Sequence, residues 1–345
     1  MRTTSEFVSP GHPDKVADYI SSYLLDRYIE RDPRVRYAVE VQIKDSFVTL
    51  GGEVTSACQL PFCDMLRHVR DAVCEIGYTP DYAKRWGADN CIDPDALLLV
   101  AHIGQQSPDI AQGVDADGWG DQGIFWGMAT GDASTGYFPR DIIVAKQIGW
   151  WLYNAALGGR LPVGLDIKTQ VTVDDGRVTG IVVAAPAREA DLPAVTDAIM
   201  AHVEQSGIHG AEVTINGTGA YVRHASAGDC GTTGRKLAVD FYGGNCRIGG
   251  GSPWTKDPSK ADVTLNVYAR RLAVAKKKQT GEETVYCAIS CCIGRRDIDI
   301  VYFDGSLRQI GAEHEARPAS EIISELGLGR PVWASKCRYG LFSNI

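Results

Sequence analysis

The sequence predicts an α+β protein built from three similar units, each a sheet with helices packed on one face. Two observations carry this. A hairpin of period-two apolar alternation followed by a helical run occurs three times, near 37–77, 169–207 and 285–327. Two glycine-centred segments, GWGDQG at 118–123 and SAGDCG at 226–231, echo one another at a similar offset. A chain of 345 residues is too long for one small core and fits two or three packed units. Along the chain the units are expected at 1–103, 119–223 and 224–345, with a mobile loop over 104–118 and interleaving of the chain between units allowed.

The first helix is expected over 14–31, where Val16, Ala17, Ile20, Tyr23, Leu24 and Tyr28 recur at helical spacing. Asp14 is the expected N-cap, and the Asp32–Pro33 pair stops the run. RYAVEVQIKDSFVTLGGEV then reads as strand, turn, strand, and LPFCDMLRHVRDAVCEIGY as a helix ending at Gly77. ALLLVAHIG reads as a buried strand. The stretch 104–136, rich in Gly, Asp and Ser, reads as one long loop. RDIIVAKQIGWWLYNAALGG is a helix with a glycine stop, and IKTQVTVDDGRVTGIVVAAP is a hairpin turning at Asp175–Gly176. LPAVTDAIMAHVEQSG and DVTLNVYARRLAVAKKKQ are helices on either side of a glycine-rich zone at 216–251. ETVYCAISCCIGRRDIDIVYFDG is a strand pair.

Composition narrows the function classes. Hydrophobic residues make up 44% and charged residues 23%, as in a soluble globular protein, and no apolar run approaches a membrane span. A net charge of −8 argues against a general electrostatic grip on nucleic acid or anionic membrane, while leaving room for a local basic pocket. The first residues lack the apolar stretch of a secretory signal, so a cytoplasmic protein is the expectation. The ten cysteines form no CxxC and no zinc-type block, and read as small buried apolar residues.

Three constellations carry chemistry. In GHPDK, Gly11 allows close backbone approach and Pro13 stiffens the turn, at a helix N-terminus that attracts phosphate oxygens. His12 and Lys15 add donors there and Asp14 a carboxylate for Mg²⁺; the bland alternative is an ordinary capped helix entry. In GTTGRK and RIGGGSPWTKDPSKAD, a triglycine at 249–251 lies near Lys256 and Lys260. A helix starting at DPSKAD with Pro258 in its first turn would aim both lysines one way and offer Asp262 to a metal. Glu40, Glu53, Asp121 and Asp229 are carboxylates on apolar strands or between glycines, equally suited to cations or to turn formation. No GxSxG elbow, HExxH or GxGxxG is present.

Seven segments in order, SEFVSPGHPDKVAD, LGGEVTS, IGQQSPDIAQGV, GDQGIFWGMAT, DIKTQVTV, GDCGTTGRKLAVDFYGG and GGGSPWTKDPSKAD, closely resemble the S-adenosylmethionine synthetase (methionine adenosyltransferase) family over most of 1–270. The resemblance implies three similar α+β domains about a pseudo-threefold axis. It implies the reaction ATP + L-methionine + H₂O → S-adenosylmethionine + phosphate + diphosphate, with two Mg²⁺ and one K⁺. On that resemblance His12 stands beside the departing 5′ oxygen with Lys15 assisting, and Asp14 and Asp262 hold Mg²⁺ while Glu40 holds K⁺. Glu53, Gln106, Asp121, Asp229 and Lys260 contact methionine; Asp166, Lys168, Ala220, Tyr221 and Asp229 contact the nucleoside and phosphates. Arg235, Lys236, Lys256 and Ser252 belong to the polyphosphate clamp, and the loop 104–118 is a lid. A homodimer sharing its sites, or a pair of dimers, is implied. Pro10 stands where the family usually has an acidic residue and Ala220 where it usually has arginine, and beyond CAIS the likeness fades into a compressed tail.

Overall fold

The structure is a computed structural model and describes residues 2–105 and 118–343. The first stretch runs β1 (Arg2–Val8), α1 (Pro13–Ile29), β2 (Arg36–Lys44), β3 (Phe47–Thr55), α2 (Phe62–Ile76), α3 (Pro80–Trp86) and β4 (Leu98–Gly104). The second opens with β5 (Gly123–Thr130), α4 (Arg140–Leu157), β6 (Lys168–Asp174), β7 (Arg177–Ala184), α5 (Leu192–Gln205), β8 (Glu212–Ile215) and β9 (Gly231–Thr232). It closes with α6 (Ala261–Thr280), β10 (Thr284–Cys291), β11 (Asp297–Asp304), β12 (Gln309–Ala316), α7 (Ala319–Glu325) and α8 (Trp333–Tyr339).

These strands make three four-stranded sheets, ordered β1-β6-β7-β8, β4-β3-β2-β9 and β12-β11-β10-β5. Each contains one of the hairpins read from the sequence, and each hairpin is followed in the chain by a helix, so the α+β class with three like units stands. Each sheet also recruits a strand from far away in sequence. β1 pairs with β6, β9 with β2, and β5 with β10. Linear segments ending near 103 and 223 therefore do not coincide with the sheets.

Helix α1 is buried almost all round, with Arg27 alone of its residues reaching intermediate exposure. Its polar side chains are paired accordingly. Ser21 Oγ donates to the Val39 carbonyl at 2.7 Å, and Asp26 accepts the Trp333 and Ala334 amides at 2.9 Å each, docking α8 onto α1. Among the described residues no helix is long and apolar enough to cross a membrane.

Several sequence expectations need correction. β4 is not buried: it is an edge strand whose alternate residues, including Leu98 at 64% and Val100 at 48%, are exposed. Its apolar residues on both faces hid the alternation. The stretch 104–136 is not one loop, because 123–130 is β5, pressed so closely on α6 that a Cβ at Gly127 would lie 2.0 Å from the Ala269 carbonyl oxygen. The glycines that suggested a loop there serve strand–helix packing. The last sheet gains β12, whose exposed polar residues gave no strand signal. Helix α6 starts at Ala261, so Pro258 precedes it. Of the cysteines, Cys91, Cys287 and Cys337 are buried, but Cys58, Cys63 and Cys292 are exposed.

Candidate active site

Two chain segments are pressed onto the N-terminal turn of α1. On one side, Ser9 N–H donates to the Ile167 carbonyl at 2.9 Å, and Ser9 Oγ donates to the Leu165 carbonyl at 2.5 Å. Gly11 is needed at this contact, since a Cβ would lie 2.4 Å from the Leu165 carbonyl oxygen. This brings Asp166 and Lys168 beside GHPDK. On the other side, Gly231 packs so that a Cβ would lie 2.2 Å from the Pro13 carbonyl oxygen. The Thr232 amide donates to Asp14 Oδ1 at 2.9 Å, and Lys236 Nζ donates to Asp14 Oδ2 at 2.6 Å. Arg235 Nε stands 3.7 Å from Asp14 Oδ1.

His12, not Asp14, caps α1. Its backbone is extended and its Nδ1 accepts the Asp14 amide at 3.1 Å. That bond fixes the tautomer: the ring proton sits on Nε2. Burial, then the charges of Lys168, Lys236, Lys15 and Arg235, push its pKa down to about 2. His12 is thus a neutral N–H donor set among cations, with no tendency of its own to carry charge.

Lys15 does not share that position. Its Nζ is buried, donating to Asp240 Oδ1 at 2.6 Å and Asp18 Oδ2 at 3.1 Å, and lies 4.6 Å over the Trp254 ring. Burial alone would lower its pKa, but Asp18 and Asp240 reverse this and raise it. Asp18 itself is pushed up to about 7 by burial, against the pull of Lys15 and of the Gly234 amide, which donates to Asp18 Oδ1 at 2.9 Å. In this structure Lys15, expected to assist His12 at the departing oxygen, is held as the counter-ion of Asp18 and Asp240. The sequence reading missed its partners Asp18 and Asp240; the i,i+3 placement of Asp18 after Lys15 was the available signal.

Asp166 Oδ2 accepts the Ala225 amide at 2.9 Å, while Oδ1 is buried without a protein partner. Burial raises its pKa to about 6, against the opposing charge of Lys168. Tyr221 sits nearby in the chain, its carbonyl accepting the Ala187 amide at 2.9 Å, and burial raises its phenol pKa. Ala220 is half-exposed.

A second cluster forms against β2. Lys256 bridges to Ala38 in β2, and its ammonium pairs with Asp262 Oδ2, while the Gly251 amide donates to Asp262 Oδ1 at 2.8 Å. Ser252 Oγ accepts the Trp254 amide at 3.3 Å. Lys260 caps the α6 end of this segment; its Nζ is buried without a hydrogen-bond partner, and burial lowers its pKa. Glu40 accepts from the Thr233 hydroxyl, linking β2 to the GTTGRK segment. Glu53, opposite Ala38 in the hairpin, is exposed, as is Asp121. Asp229 is exposed, its Oδ1 accepting the Cys230 amide at 2.8 Å. Gln106 and most of the expected lid, 104–118, lie outside the described residues. Among the described residues no hydrogen bond or ion pair joins the two clusters, the first holding His12, Asp14, Arg235 and Lys236 and the second Lys256, Asp262 and Lys260.

The chain matches two family models, the S-adenosylmethionine synthetase N-terminal domain over 1–108 and C-terminal domain over 222–345. It is 34% identical over 385 aligned positions to the S-adenosylmethionine synthase of Mycobacterium ulcerans, covering 98% of this chain and 93% of that one. It is 35% identical to the S-adenosylmethionine synthase of Desulforudis audaxviator, covering 98% and 92%. A solved structure titled an unusual S-adenosylmethionine synthetase from Campylobacter jejuni superposes with a TM-score of 0.89 at 29% identity, over 99% of this chain and 94% of that one. Coverage of this kind leaves little of the fold unmatched, and the cationic turn around His12 lies within the N-terminal match; the chain is a transferase of the S-adenosylmethionine synthetase family.

Proposed function

We propose that this chain transfers the adenosyl group of ATP to the sulfur of L-methionine and then hydrolyses the displaced triphosphate. The observation that carries this is the neutral His12, its proton fixed on Nε2 and its neighbours Lys168, Lys236 and Arg235 all cationic. A thioether nucleophile has no proton to lose, so no general base is required. The difficulty is the leaving group: as the sulfur lone pair forms the bond to C5′, the C5′–O electrons pass to the triphosphate. A fixed N–H donor among cations suits a site where negative charge grows on oxygen. Water then cleaves the triphosphate to phosphate and diphosphate.

Around that step, Asp166 Oδ1 supplies the unpaired acceptor that a ribose hydroxyl would satisfy. Tyr221 offers an aromatic face for the base. Lys260 Nζ, buried and unpaired, suits an anionic oxygen of the substrates. The donor chemistry fits the family's metals. Asp14 and Asp262 are hard carboxylates already held against ammonium groups, and Glu40 with the Thr233 hydroxyl offers oxygens for K⁺. Among the described residues no three His, Cys, Asp or Glu side chains converge on one point, so bound Mg²⁺ would take further oxygens from phosphate and water. When bound it supplies positive charge to the triphosphate oxygens.

The two clusters are read as half-sites completed by a second copy. Both border the sheet β4-β3-β2-β9, whose open face carries Phe47, Leu98 and Val100 at 46%, 64% and 48% exposure beside Glu40 and Glu53. An exposed apolar sheet face bordered by charge suits an isologous dimer. The test is to incubate the protein with ATP, L-methionine, Mg²⁺ and K⁺ and seek S-adenosylmethionine by mass spectrometry. Product that depends on methionine and disappears in Lys168→Ala supports the assignment. Phosphate release from tripolyphosphate with no sulfonium product overturns its synthetic half.

A further inference from the structure

Behind Asp166 lies a hydrogen-bonded clip formed by Leu165, Tyr82 and His224. The Leu165 amide donates to Tyr82 Oη at 3.0 Å. His224 Nδ1 donates to the Val222 carbonyl at 2.6 Å, which leaves Nε2 as an acceptor for the Tyr82 hydroxyl at 2.7 Å. The tautomer is therefore set by the backbone. His224 is buried among Tyr78, Tyr82 and Trp86, the last two meeting it edge-on at 5.8 Å and 5.1 Å between centroids. Burial first, opposed by the Val222 bond, lowers its pKa to about 4. The His224 amide also donates to the Asn90 carbonyl at 2.9 Å, tying this corner to the segment after α3.

The placement gives the clip its meaning. Leu165 immediately precedes Asp166, and His224 immediately precedes Ala225, whose amide donates to Asp166 Oδ2. Leu165–Tyr82–His224 thus runs parallel to the direct Asp166–Ala225 bond and closes a ring around it. Ala225 sits at φ 52°, a left-handed conformation that a residue with a Cβ adopts only when its surroundings impose it. With Oδ2 tethered in this way, rotation of the carboxylate is restrained while Oδ1 is left unpaired.

We propose that Tyr82 and His224 are positioning residues that aim the free oxygen of Asp166 at a ribose hydroxyl, and so set the enzyme's discrimination between ATP and its deoxyribose analogues. This rests on the adenosyltransferase reading above. A site built to bond a hydroxyl rejects the analogue that lacks it, provided the bonding atom is held in place. A loosened clip lets Asp166 turn away or recruit water, and the penalty on the deoxy analogue shrinks.

The experiment compares kcat/KM for ATP, 2′-deoxyATP and 3′-deoxyATP in the wild type and in Tyr82→Phe, His224→Leu and His224→Gln. Tripolyphosphate hydrolysis and thermal melting report folding without a ribose. The expectation is that Tyr82→Phe and His224→Leu raise the KM for ATP and cut the preference over one deoxy analogue about tenfold, the scale of one displaced hydrogen bond. His224→Gln, which keeps an acceptor for Tyr82, should retain most of the preference. Folded Tyr82→Phe and His224→Leu variants with unchanged preference overturn the clip. A wild type that makes S-adenosylmethionine but shows no preference overturns the ribose role of Asp166, and a wild type that makes none overturns the adenosyltransferase reading itself.

Discussion

Lys15→Met separates the two roles that a lysine in this turn could have. In the structure Lys15 balances two buried carboxylates, Asp18 and Asp240, and its Nζ has no bond to His12 or Asp14. Removing one partner of a buried ion pair costs about 3–5 kcal/mol, because charge is left uncompensated. At about 2.1 cal/mol/K of unfolding entropy per residue, that loss lowers the melting temperature of a chain of 345 residues by about 4–7 °C. The loss should depend on pH. Without the lysine, Asp18 keeps a proton well above the pH at which the unfolded carboxylate releases it, so its folded pKa is raised. Asp18 already sits at about 7 with the lysine present, so both proteins lose stability alike between about pH 4 and pH 7, and the penalty grows, by at most about 1.4 kcal/mol per pH unit, as pH rises above 7. Lys146 and Cys337 border the same cavity, and the Lys146 ammonium can offset part of this. Melting curves from pH 5 to pH 8 should therefore coincide with wild type at the acid end and diverge at the alkaline end, while turnover below the melting range falls far less than in Lys168→Ala. A Lys15→Met protein as stable as wild type at pH 8 but without turnover would refute this and restore the lysine to the chemistry.

Other outcomes follow from the same geometry. His12→Ala should lower kcat by about 10²–10³, as loss of one preorganised donor does, and should destabilise α1 by about 1 kcal/mol through the lost cap, read by kinetics and melting. Because the His12 pKa lies near 2, wild-type kcat from pH 6 to 9 should show no step that disappears in His12→Asn. Asp262→Asn should raise the Mg²⁺ concentration needed for half-maximal rate, and chelation should abolish turnover reversibly. Refolding an equimolar mixture of His12→Ala and Asp262→Asn chains, assayed at a Mg²⁺ concentration too low for Asp262→Asn alone to turn over, should restore about a quarter of wild-type activity, since half the dimers are mixed and one site in each holds both intact half-sites; no recovery would show that both residues act within one chain.

The fold was legible where the chain's local chemistry is unambiguous. Asp175 and Gly176 take left-handed conformations, as a two-residue hairpin turn requires, and Gly77 takes the left-handed position that ends α2. The errors share one cause, which is that a local pattern cannot report a distant partner. Glycines in β5 look like loop because the reason for Gly127 is the Ala269 backbone, far along the chain. The residues of β4 look like a buried strand because apolarity alone does not say whether the apolar face meets this chain's core or remains open.

The candidate site divides along the same line. Residue types were legible: a histidine, an aspartate and two lysine-bearing segments near glycines announce an anion. What each residue does is set by contacts between segments more than a hundred residues apart. His12 and Lys15 are three positions apart on one helical turn, yet one faces the cationic ring and the other is sealed against Asp240. Helical geometry decides which of them faces the ring, and the carboxylates on the far side decide that the other stays charged. The Tyr82–His224 clip carries no sequence signal at all, since an aromatic in α3 and a histidine within the glycine-rich zone become partners only when the fold brings both beside Leu165. A motif thus names the chemistry available at a site, whereas the division of labour within it is a property of the tertiary contacts. Lys15→Met and Tyr82→Phe, which probe residues outside the cationic ring, therefore test this structure more sharply than any change to His12 could.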